Sequence, residues 1–176
     1  MQDQDLEIVP AVRIGPYHLK WDLETLKKNL PANYIVTEDA YTWYVEFEDY
    51  LIGIRKADNQ IDFITVRGKF RQHFKNKITC ESTHGQIEDD FGPTAGYSFD
   101  DLPAYPGMEM YFEDEEEGDE DENSWKKIKI IRIAVVDPLF IWDEHFSLED
   151  YDRMEQTKYE CPFPKDKFIE NPYKKK

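Results

Sequence analysis

The sequence predicts an α+β fold: two tandem helix-plus-antiparallel-sheet units followed by a C-terminal appendage. Three observations predict it. Two short amphipathic segments, each opened by a helix-capping residue, fall at one common offset: Asp22 aligns with Thr83, Leu26 with Ile87, and Leu30 with Phe91. Alternating or β-rich stretches follow each of them. After Val136 the pattern changes to a proline-interrupted segment that continues neither.

The first unit is placed at residues 1–68. Asp22 caps a helix carrying Leu23, Leu26 and Leu30 on one face, and Pro31 stops it. Thr42-Trp43-Tyr44-Val45-Glu46-Phe47 alternates as a strand, with Trp43, Val45 and Phe47 on one side. An acidic corner, Phe47-Glu48-Asp49-Tyr50, leads into a hairpin of residues 51–56 and 61–66, turning at Ala57-Asp58-Asn59.

The second unit spans residues 69–136. Thr83 and Gln86 form a capping box ahead of Ile87 and Phe91, and Gly92-Pro93 ends the helix. Phe99-Asp100-Asp101-Leu102 matches the earlier acidic corner. Strands at 108–112 and 128–136 are joined by an acidic hairpin loop, 113–124, in which nine of the ten residues Glu113 to Glu122 are acidic. Like charge at that density disfavours packing, so the loop is expected to be solvated. Its glycine falls at the wrong position for an EF-hand, and its flanks read as strands, so no metal is assigned to it.

The appendage, residues 137–176, is expected to lie along the body. Leu139-Phe140-Ile141-Trp142 is apolar, Ser147-Leu148-Glu149-Asp150 reads as a capping box, and Tyr159, Phe163 and Phe168 supply anchors around Cys161-Pro162-Phe163-Pro164.

A chain of 176 residues with 40% hydrophobic content can bury a core without disulfides or metals. Cys80 and Cys161 are read as free thiols. The acidic N-terminus lacks a signal peptide's basic and apolar regions, and no apolar run suffices to span a bilayer, so a cytoplasmic location is expected. The formal net charge is −16. Such a field repels nucleic acid and anionic membrane and accelerates encounter with a basic protein, although acidity also serves solubility.

Catalytic signatures do not emerge. His18, His73, His84 and His145 sit in no nucleophile, zinc or phosphate-loop motif, and each reads as a surface or hydrogen-bonded residue. With 38 acids, no carboxylate pair stands out. No enzyme activity, cofactor or metal is therefore assigned. A small metal-dependent hydrolase remains as a minor alternative.

Lys77-Ile78-Thr79, Ser82-Thr83, Ile87 and Phe91-Gly92-Pro93, with strands behind them, resemble the "G-x-T … V … L-G-x-P" unit of outer-membrane assembly lipoproteins of the SmpA/OmlA type. The same unit occurs in tandem in the β-lactamase inhibitory proteins. The resemblance implies a fold used for protein binding and inhibition, and it carries over no catalytic residues.

These readings converge on an acidic protein-binding inhibitor of the immunity kind, whose partner is a basic toxin domain such as a nuclease. The alternative is a non-catalytic scaffold or envelope-associated module. One helix covers one face of a sheet, and the other face is either solvated or a binding surface. The expected contact residues are Tyr41, Trp43, Tyr44, Tyr97, Tyr105 and Tyr111 as anchors. Glu46, Glu48, Asp49, Asp100, Asp101, Glu113, Asp114, Glu115, Glu116 and Glu117 would supply the attracting charge. The oligomeric state is left open.

Overall fold

The computed structural model describes residues 6–91, 107–113 and 124–136. The second acidic corner, most of the acidic loop, the appendage, His145 and Cys161 lie outside the described residues, as does the helix stop at Gly92-Pro93.

The chain begins with a three-stranded antiparallel meander: β1 (Ile8–Val9), β2 (Arg13–Ile14) and β3 (Tyr17–His18). Ile8, Ile14, Tyr17 and Leu19 turn inward and are buried. Helix α1 (Leu23–Asn29) follows. Asp22 caps it by accepting the Thr25 N–H at 2.8 Å, which satisfies one donor of the open first turn. Leu30 is already extended (φ −73°, ψ 146°), because the Pro31 ring disfavours helical geometry in the residue before it.

A six-stranded antiparallel sheet forms the body, built from β4 (Ile35–Glu38), β5 (Thr42–Phe47), β6 (Tyr50–Arg55), β7 (Ile61–Arg67), β8 (Met108–Phe112) and β9 (Ile130–Val136). Its order is β4-β5-β6-β7-β9-β8. Strands from both halves of the sequence thus join one sheet, sealed where Phe63 to Arg67 pair with Val136 to Arg132. Helix α2 (His84–Phe91) precedes β8. Its capping box is closed, with the Thr83 N–H donating to Gln86 Oε1 at 3.0 Å and the Gln86 N–H to Thr83 Oγ1 at 3.4 Å.

Both helices are anchored to the sheet by the same pair of bonds. At α1 the Leu23 N–H reaches Asn59 O (3.2 Å) and the Ile61 N–H reaches Trp21 O (3.3 Å). At α2 the His84 N–H reaches Ile128 O (3.0 Å) and the Ile130 N–H reaches Ser82 O (3.0 Å). Asp22 and Thr83 each bridge to the residue immediately before the following strand, Gln60 or Lys129.

One face of the sheet is the core. Val45, Phe47, Tyr50, Ile52, Ile54, Ile64, Val66, Met108, Met110, Ile133 and Val135 are buried there with Leu26, Phe70, Phe74, Ile78 and Ile87. The meander packs against β7. The rings of Phe47 and Tyr50 stack at 5.2 Å, with the Tyr17 ring edge-on to Tyr50 at 5.0 Å. At the far end Gly107 adopts φ 78° and accepts N–H bonds from both Ala11 (2.9 Å) and Val136 (3.1 Å). A Cβ at Gly107 would stand 2.4 Å from that of Ala11, so only glycine lets the meander come this close to the start of β8.

Strands β1 to β3 and β4 extend the expected list of elements. Two-residue strands are too short to show a period, and β4 is exposed along its whole length, so its burial never alternates. Among the described residues, no helix is long and apolar enough to cross a membrane.

Candidate protein-docking edge

Strand β4 and the tip of the β4–β5 hairpin bring exposed apolar side chains together at the sheet margin. Tyr34, Ile35, Val36 and Tyr41 are 42, 64, 52 and 79% exposed. Asp39 organises the tip. Its Oδ1 accepts the backbone N–H groups of Tyr41 (2.8 Å) and Thr42 (2.7 Å), and its Oδ2 accepts the Tyr44 hydroxyl (2.6 Å). These bonds hold the Asp39 carboxyl below its usual pKa, the Tyr44 bond foremost, and the same bond raises Tyr44.

Lys56 ties the tip to β6. Its ammonium donates to Asp39 O (2.6 Å), pairs with Glu38 (2.7 Å) and stands 5.6 Å from the Trp43 ring centre. Glu38 also accepts the Trp43 indole N–H at 3.0 Å, and Lys56 followed by Trp43 lowers its pKa. These bonds brace the backbone of the tip, from which Tyr41 projects.

The expected contact residues that are described lie on different parts of the sheet. Tyr41 is at the tip. Trp43 lies half-buried at the margin of the core face, whereas Tyr44 points to the second face beside Phe63, ring centres 6.3 Å apart. Glu46 shares that second face and is paired with Arg67. Glu48 and Asp49 form the β5–β6 turn, with Glu48 at φ 46°. Tyr111 is on the second face too, but four strand spacings, roughly 19 Å, from β5. Its hydroxyl donates to Glu109 (2.7 Å) and Arg132 lies 3.5 Å from its ring centre. Glu113 is exposed just past β8. Tyr97, Asp100, Asp101, Tyr105 and Asp114 to Glu117 lie outside the described residues.

Sequence reasoning missed Tyr34, Ile35, Val36 and Asp39. The available signal was the β-forming run Tyr34-Ile35-Val36-Thr37, bounded by Asn33 and by Glu38-Asp39.

Elsewhere, a depression of about 300 Å³ along α2 is lined by Lys77, Ile78, Thr79, Glu81, Ser82, Gln86, Ile87 and Asp90, and its principal charges, Lys77 and Asp90, already pair. His73 is partly buried, and its Nδ1 has no hydrogen-bond partner among the described residues. Backbone bonds to Leu6 and Ile8 fix that segment. Among the described residues, no three His, Cys, Asp or Glu side chains gather as metal ligands would. In comparisons with known proteins, no family model, curated protein or solved structure matches the chain.

Proposed function

We propose that this chain is a cytoplasmic, non-catalytic inhibitor of the immunity kind, which binds a basic toxin domain such as a nuclease and occludes its active site. The observation that carries the reading is a braced hairpin tip that presents Tyr41, 79% exposed, on a chain of net charge −16. A tip whose backbone is braced before binding loses less entropy on docking, and an exposed aromatic on it serves as an anchor. The surrounding field speeds encounter with a cationic surface. Of the acids expected to steer, Glu46 pairs with Arg67, Glu48, Asp49 and Glu113 form no ion pair among the described residues, and Asp100, Asp101 and Asp114 to Glu117 belong to the same proposal.

The reading includes a duplicated helix-plus-sheet module. The matched anchoring bonds at Leu23 and Ile61 and at His84 and Ile130 support it, together with the common offset of the cap residues. Its resemblance to tandem inhibitory proteins belongs to the same proposal.

Coexpression with the product of the neighbouring gene, read as growth rescue, tests the function. Rescue is expected, with association slowing at least tenfold between about 0.05 and 0.5 M salt. Tyr41→Ala should chiefly accelerate dissociation. An association rate indifferent to salt, or toxicity undiminished by the chain, would sink the reading.

A further inference from the structure

Strand β4 is first in the sheet order and, among the described residues, pairs with β5 alone. Its backbone phase follows from the hairpin. The Asp39 N–H donates to Thr42 O at 3.0 Å, so Asp39 and Thr42 face each other as a bonded pair. Bonded and non-bonded pairs alternate in an antiparallel ladder. Thr37 with Tyr44 and Ile35 with Glu46 are therefore bonded, whereas Val36 and Glu38 turn their N–H and C=O groups away from β5.

The side chains repeat the message. Ile35 and Val36 point to opposite faces and are both more than half exposed, so among the described residues nothing covers either face of β4. Edge strands are ordinarily blunted by shortness, charged side chains, proline or a bulge; β4 is short and carries Glu38 opposite Trp43, but has neither of the last two. The four residues Ile35 to Glu38 contain no proline, and their register with β5 is unbroken. At the opposite edge, β8 buries Met108, Met110 and Phe112.

We infer that β4 is a docking edge onto which an extended, basic segment of a partner protein adds as a seventh strand, bonded to the outward backbone groups of Val36 and Glu38. The inference rests on the inhibitor reading and names the surface it uses. Charge selects the occupant. Glu38, Asp39, Glu46, Glu48 and Asp49 outnumber Lys56 and Arg67 around this edge. A second copy would bring an equally acidic edge, whereas Lys or Arg side chains could lay their stems over Tyr34 and Tyr41 with their charges near these carboxylates. The Asp39 and Lys56 bonds already order the hairpin, so a strand docks on a prepared template.

The probe is a blocked eight-residue peptide of alternating lysine and valine, with its glutamate–valine counterpart as control. Amide exchange of Val36 and Glu38 is expected to slow roughly tenfold or more with the basic peptide, with Ile35 and Thr37 unchanged because β5 already protects them. Val36→Pro removes the outward N–H without touching a bond to β5 and should abolish binding; Val36→Thr should preserve it. Protection elsewhere or nowhere, equal protection by the acidic peptide, or a free dimer that Val36→Pro dissociates would overturn the proposal. The wild-type exchange result decides the matter even if the proline variant unfolds. In the coexpression assay, full rescue by folded Val36→Pro refutes the edge and leaves the inhibitor reading standing. Failure of the wild type to rescue, with Val36 and Glu38 protected by the peptide, refutes that reading and leaves the edge standing.

Discussion

Glu48 holds a left-handed backbone (φ 46°) in the turn between β5 and β6, a conformation that disfavours side chains with a Cβ by about 1–2 kcal/mol. Asparagine tolerates it better, so Glu48→Asn should raise stability by about 0.5–1 kcal/mol in urea unfolding, with Glu46→Asn, at a regular strand position, giving no such gain. The position was legible as an acidic corner, but its strain was not, because φ is set by the pairing of Phe47 with Tyr50 on either side. Two histidines make stability depend on pH. Burial lowers His84 below the ordinary imidazole value, and burial followed by Arg13 lowers His18. The unfolded chain therefore takes up protons near pH 6.5 that the folded chain refuses. Their contribution is complete above that pH and is lost as pH falls through 6.5 toward the folded values. The urea midpoint should drop between pH 7.5 and 5.5, and His84→Gln should make the drop shallower.

Helices α1 and α2 were the most legible elements, since a cap residue and a helix stop act within a few residues of chain. Asp22, Thr83 and Gln86 make the bonds their spacing suggests. Strands were legible where one face is buried, as in the Val45 and Phe47 alternation of β5. Strand β4 was not, because exposure on both faces leaves no pattern. Gly53 was equally silent. A Cβ there would meet the Phe63 ring on the neighbouring strand at 2.3 Å, a cross-strand fit that no local pattern encodes. Gly53→Ala should destabilise by about 1–3 kcal/mol in chemical denaturation, and much less in a Phe63→Leu background, because the clash is with the ring.

At the scale of the whole molecule, the β7–β9 seam makes one sheet of strands from both halves of the chain. Ile64 is fully buried at that seam, so Ile64→Ala should lower stability by about 2–5 kcal/mol. Fluorescence, circular dichroism and calorimetry should all report the same single transition; separate transitions for the two halves would show that the seam does not couple them. The acidic field, the α+β class, both helices and the β5, β6, β7, β8 and β9 stretches were determined by the sequence alone, because charge, caps and periodicity act over short spans of chain. Tertiary structure decided that these stretches form one sheet, that Trp43 and Tyr44 part to opposite faces, that Arg67 neutralises Glu46, and that β4 is an edge among the described strands. Those outcomes depend on which strands become neighbours, and neighbours distant in sequence are chosen by packing over the whole core.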